Sequence, residues 1–106
     1  MTVLMKEDLY ELYVNGKSRN YKEVERNHAL MEGFVRAVRI MTQVRNVAEL
    51  SGFSYLHYEQ LKHECSGYSS IRLSNRFIHR LIFKETPDGI EVELLKIDQT
   101  HYGNKH

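Results

Sequence analysis

The chain has 106 residues, enough for one domain with a modest core, and its 42% hydrophobic and 27% charged residues are ordinary for a soluble globular protein. A formal net charge of +1 argues against a protein that coats nucleic acid by bulk electrostatics, whereas an enzyme that touches a few phosphates needs only local positive charge. The lone Cys65 excludes an internal disulfide and fits a reducing cytoplasm, no apolar run approaches bilayer length, and the segment Met1–Lys6 lacks the basic-then-apolar form of a signal peptide.

In chain order, Met1 to Met5 reads as a short first strand. Glu7 to Val14 sets Leu9, Leu12 and Tyr13 at helical spacing, and Gly16 ends that helix. Asn20 followed by Glu23 has the form of a capping box and predicts a long helix to about Val44. Its buried stripe is Leu30, Phe34, Val38 and Met41, widened by Met31 and Val35. Arg36, Arg39 and Arg45 fall off that stripe; they read as a solvated face, with contact to phosphate or a partner as the alternative. Residues 46 to 62 hold a short helical piece and a loop.

Three strands follow. Ser69 to Leu73 points Ile71 and Leu73 one way and Ser70, Arg72 and Ser74 the other. Phe77 to Lys84 places Ile78, Arg80 and Ile82 on one face and Phe77, His79, Leu81 and Phe83 on the opposite one. Ile90 to Ile97 sets Ile90, Val92 and Leu94 against Glu91 and Glu93. Thr86-Pro-Asp-Gly89 is a turn between the last two. The expected architecture is α+β: two N-terminal helices packed on a small antiparallel sheet, with a short N-terminal strand as an optional addition and residues 1–106 as one domain.

For chemistry, the chain offers no metal motif. His57 and His63 lack a third ligand, there is no CxxC or HExxH, and no Gly-rich phosphate loop occurs. Cys65 paired with His63 or His101 reads as a packing residue rather than a nucleophile. The strand half is more informative. Arg72 and Arg80 sit in apolar strands, and an arginine buried unpaired is costly, so each must face solvent, a carboxylate or a ligand. Glu59 lies just before the sheet, and His101 and Tyr102 follow the last strand. A carboxylate, a histidine, a tyrosine and two guanidiniums suffice for phosphoryl transfer without a metal; a structural role for these common residue types is the competing reading.

From Leu56 to Tyr102 the chain resembles the RelE/ParE superfamily of toxins from type II toxin–antitoxin systems, with HigB-like and YoeB-like members nearest. The residues that carry the resemblance are Tyr58-Glu-Gln-Leu-Lys-His-Glu-Cys-Ser-Gly-Tyr-Ser-Ser-Ile-Arg-Leu73, then His79-Arg-Leu-Ile-Phe83, then the closing His101-Tyr102-Gly103. The resemblance implies a RelE-like domain and an mRNA endonuclease, often acting on the ribosome. It implies products with a 2′,3′-cyclic phosphate and a 5′-hydroxyl, made with neither metal nor cofactor. It also implies an antitoxin partner, a cytoplasmic location and no membrane association. By position, Glu59 resembles the general base, His101 the general acid, Arg80 the residue that stabilises the pentacovalent phosphate, and Arg72 a supporting phosphate contact. Tyr102 would orient the phosphate or stack on a base, and Lys62 would contact RNA or ribosome.

This chain departs from the family pattern in two places. The link from Arg72 to Arg80 is about two residues longer than the family's, so Arg76 and His79 compete for the Arg80 role; Arg76 otherwise reads as an RNA contact. Ser69 stands where a tryptophan is common. Two other functions remain open: gyrase poisoning on the same fold, as in ParE-like relatives, and a non-enzymatic module that binds an acidic partner.

Overall fold

The computed structural model describes residues 1–62 and 67–99. The elements are β1 (Thr2–Met5), α1 (Glu7–Asn15), α2 (Lys22–Arg26), α3 (His28–Gln43), two short 3-10 turns over Val47–Gly52 and Ser54–Leu56, β2 (Glu59–Gln60), β3 (Ser69–Arg72), β4 (Arg80–Glu85) and β5 (Glu91–Asp98). The strands form one sheet in the order β1-β5-β4-β3-β2. The α+β class holds, but the expectation of a purely antiparallel sheet does not. β2 to β5 pair antiparallel, whereas β1 runs parallel to β5, with Val3 opposite Val92 and Met5 opposite Leu94. A strand that leads into a helical layer returns to its own sheet by a crossover, and such a crossover permits parallel pairing.

The first helix ends as expected: Gly16 adopts a left-handed φ of 75° and its N–H returns to Leu12 O at 2.9 Å. The single long helix from Asn20 is corrected to two. Asn20 does not cap a helix; its side-chain amide donates to Asp8 Oδ2 at 3.1 Å. The break falls at Asn27, whose extended backbone (φ −106°, ψ 109°) stops α2, while its Oδ1 accepts from Leu30 N at 3.1 Å and starts α3. We expect Asn27→Ala to cost about 1 kcal/mol and to lower Tm by about 4–8 °C in thermal unfolding, with Asn27→Ser close to the parent.

The core lies between the helices and one face of the sheet. Leu9 and Leu12 of α1 and Leu30, Phe34, Ala37, Val38 and Met41 of α3 meet Ile71, Leu73, Leu81, Phe83, Val92, Leu94 and Ile97. Met31 and Val35, expected to widen the α3 stripe, are half-buried, and Arg36, Arg39 and Arg45 are exposed. The alternation predicted for β3 and β4 is observed, with Ile71, Leu73, Leu81 and Phe83 inward and Ser70, Arg72, Arg80 and Ile82 on the second face. Two strand limits change. β4 begins at Arg80 rather than Phe77, because residues 74–78 form a turn that leaves Ile78 exposed. Ile90 lies in the turn before β5 and is also exposed. That turn is as expected: Gly89 has φ 74°, its N–H bonds Thr86 O at 2.8 Å, and Thr86 Oγ1 bonds Asp88 Oδ1 at 2.6 Å.

One irregularity positions the site. The β4–β5 register steps from Ile82↔Lys96 to Phe83↔Leu94, so Leu95 is an extra residue in β5. The bulge lets Leu94 and Ile97 both face the core, and it brings Asp98 opposite Arg80 on the second face.

Candidate active site

The second sheet face gathers three of the charged residues that the sequence singled out, Glu59, Arg72 and Arg80. Arg80 lies at the start of β4, directly opposite Arg72 of β3 on one side and Asp98 of β5 on the other. Glu59 in β2 lies opposite Ser70 of β3. Contrary to the expectation of a loop, Glu59 is therefore part of a strand, the two-residue sheet edge.

Arg80 is nearly buried, with 11% of its side chain exposed, and its guanidinium is held by three acceptors. Nε donates to Ser70 Oγ at 2.8 Å, and Nη2 donates to His57 O at 3.0 Å and to Glu59 Oε1 at 3.3 Å. Burial pulls its pKa below the usual guanidinium range; the Glu59 carboxylate opposes that shift and the Arg72 charge adds to it. The group still carries its proton, because arginine starts so far above neutrality. Glu59, by contrast, has 58% of its side chain exposed. The pair thus joins a fixed buried cation to an accessible carboxylate.

Arg72 is half-buried, and its Nε is enclosed with no hydrogen-bond partner among the described residues. Two guanidiniums in adjacent register on neighbouring strands repel each other, and an anion bound between them would relieve that repulsion. Arg80→Lys loses the forked hydrogen bonding to Ser70, His57 and Glu59. It leaves part of this buried acceptor set unmatched, and we expect it to cost about 1–3 kcal/mol, measured by thermal unfolding.

The rivals for the Arg80 role lie elsewhere. Arg76 is exposed in the turn between β3 and β4, where its backbone N–H donates to Ser74 Oγ at 3.2 Å. His79 is 4% exposed and turned away from Glu59: its Nε2 lies 3.6 Å from Glu23 Oε1 of α2, and its ring is edge-on to Phe77. Lys62 is exposed just beyond β2. His101 and Tyr102 lie outside the described residues, as do His63 and Cys65. Among the described residues, no group of three His, Cys, Asp or Glu side chains converges as a metal site would need.

Two contributors were not singled out from the sequence. Ser70 shared the Arg72 face in the alternation, yet serine carries no distinctive signal there. The His57 carbonyl was not legible at all. It reaches Arg80 because His57 adopts a left-handed φ of 49°, unusual for a residue with a Cβ.

No family model matches the chain, and no curated protein matches it. Solved structures do. A YoeB/ParE toxin from Agrobacterium tumefaciens aligns over 95% of this chain and 100% of its own, with TM-score 0.58 and 17% identity. A chain of a heterotetrameric YoeB–YefM toxin–antitoxin complex from Staphylococcus aureus aligns over 96% of this chain and 98% of its own, with TM-score 0.55 and 18% identity. This chain has the YoeB/ParE toxin fold. A YoeB dimer from Staphylococcus aureus aligns over the same shares, with TM-score 0.50 and 19% identity. The toxin fold spans nearly all of the chain, the helical half included. The sequence resemblance rested on the stretch from Leu56 onward. Among the described residues, no helix is long and apolar enough to cross a membrane.

Proposed function

We propose that this chain is the toxin of a type II toxin–antitoxin pair and that it cuts mRNA, in association with the ribosome, in the cytoplasm. The observation that carries the proposal is the Glu59–Arg80 pair at 3.3 Å on a face shared with Arg72. An exposed carboxylate beside a fixed guanidinium is what attack by a neighbouring hydroxyl on a phosphodiester requires.

In the proposed reaction the scissile phosphate lies against Arg80 and Arg72. Glu59 takes the proton from the ribose 2′-hydroxyl, and the 2′-oxygen forms a bond to phosphorus. The two guanidiniums stabilise the charge on the pentacovalent phosphate. The bond to the 5′-oxygen breaks, and His101 donates the proton that this oxygen needs. The products are a 2′,3′-cyclic phosphate and a 5′-hydroxyl, and every proton is carried by a side chain of this protein. Tyr102 orients the phosphate or stacks on a base; Lys62 and Arg76 contact the RNA outside the reacting group. The YoeB–YefM complex supports a cognate antitoxin as partner.

The test is to map RNA ends after incubating the purified protein with an oligoribonucleotide and with ribosomes programmed with mRNA. Cyclic phosphate and 5′-hydroxyl ends are expected. Ends with a 5′-phosphate would overturn the mechanism. No cleavage in either setting, together with loss of gyrase supercoiling, would assign the chain to the gyrase-poisoning branch that the YoeB/ParE likeness also admits. No cleavage with supercoiling intact would leave a non-enzymatic binding module.

A further inference from the structure

β2 is only two residues long and sits at the edge of the sheet, yet it carries Glu59. So short a ladder specifies register weakly, and a slip of one residue would turn Glu59 to the core face. Something else must fix it. On the core face, Tyr58 Oη donates to Glu85 Oε2 at 2.7 Å, and Ser69 Oγ donates to the same oxygen. The Tyr58 ring packs against Phe83 with centroids 6.2 Å apart. One carboxylate of β4 thus holds a side chain of β3 and the residue immediately before β2. The proposed reaction uses none of these three groups.

We propose that the Tyr58–Glu85–Ser69 cluster is a tether that sets the register of β2, and that Tyr58 is a positioning residue acting through Glu59; the proposal rests on the reading of Glu59 as the base. Alternation does the coupling: with Tyr58 fixed toward the core, Glu59 must point to the second face, where Arg80 waits. Arg80 completes the clamp from that side through the His57 carbonyl. Burial and the Glu85 carboxylate both push the Tyr58 phenol upward, to about 12, so it remains a donor throughout the working pH range. A shallow concavity of about 570 Å³ borders this edge, lined in part by Ala48, Ser51, Tyr58, Glu59 and Gln60, and among the described residues β2 is paired only with β3.

The experiment uses Tyr58→Phe, which keeps the ring and removes only the hydroxyl. Two quantities are read on the full chain: kcat and KM for oligoribonucleotide cleavage, and hydrogen exchange of the Leu61 amide, which bonds Tyr68 O at 2.8 Å just beyond the ladder. The expected result is a kcat reduced about tenfold, a KM within about twofold of the parent, and faster Leu61 exchange at an unchanged Tm. That split is the signature of a group needed only in the transition state. Ser69→Ala is expected to reproduce it in weaker form. Unchanged exchange would overturn the tether, whatever happens to cleavage. Faster exchange with unchanged kcat would overturn the positioning role. If the parent protein cuts no RNA, it is the reading of Glu59 that fails, and the exchange measurement still decides the tether.

Discussion

On the proposed mechanism, Glu59→Ala should reduce RNA cleavage by about 10²–10⁴-fold, the range for losing a general base, while leaving the fold intact. The two halves of that expectation come from the same geometry. The Glu59 side chain is 58% exposed, so truncating it opens no cavity. Arg80 keeps Ser70 Oγ and His57 O as acceptors when the carboxylate goes. An ion pair with one partner so exposed contributes little to stability, so Tm should move by no more than a few degrees. Glu59→Gln separates chemistry from shape, because the amide fills the same space and cannot take a proton. His101→Ala should show a loss of similar size if His101 is the acid. Growth arrest on expression, followed alongside end mapping, reads the outcome in cells. Full toxicity in both Glu59→Ala and His101→Ala would sink the catalytic assignment.

Gly33→Ala should damage the fold severely. Alanine is normally favoured over glycine within a helix by about 1 kcal/mol. Here the sign reverses. A Cβ at position 33 would stand 2.0 Å from Leu73 O and 2.8 Å from Leu73 C, both backbone atoms. No side-chain rotation relieves such a clash; α3 must lift from the sheet or the end of β3 must move. Overpacking a core costs typically 1–3 kcal/mol, and a rigid obstacle belongs at the upper end. We expect a loss of about 3 kcal/mol and a Tm lower by about 12–24 °C, measured by thermal unfolding. Cleavage should fall as well at temperatures where the variant is folded, since Leu73 follows Arg72 directly and its N–H bonds His79 O beside Arg80. An unchanged Tm would refute the close approach of α3 to Leu73.

Elements whose signals are local were legible in the chain before any fold was known. The Leu30–Phe34–Val38–Met41 stripe, the stop at Gly16, the turn at Thr86–Gly89 and the alternation of β3 and β4 each depend on neighbours within a few residues. Alternation alone also put Arg72 and Arg80 on faces opposite to Leu73 and Leu81. Asn27 was within reach of the same reasoning, because an asparagine three residues before Leu30 is as good a cap as Asn20. The choice between them depended on which backbone becomes extended.

Pairing was decided only by the tertiary structure, because it joins residues distant in the chain. The parallel pairing of β1 with β5 has no local signature, since an edge strand meets whichever neighbour the crossover leaves open. The bulge at Leu95 is equally non-local: it reconciles the inward demands of Leu94 and Ile97 and so places Asp98 opposite Arg80. The sequence named Glu59, Arg72 and Arg80 as candidates but left Arg80 in competition with Arg76 and His79. In the folded chain Arg80 is the one bonded to Glu59, while His79 faces α2 and Arg76 lies in an exposed turn. The reason is physical. A strand reverses its side chains at every residue, so the face of Arg80 follows from the register of β3 against β4, and register is a property of two strands together.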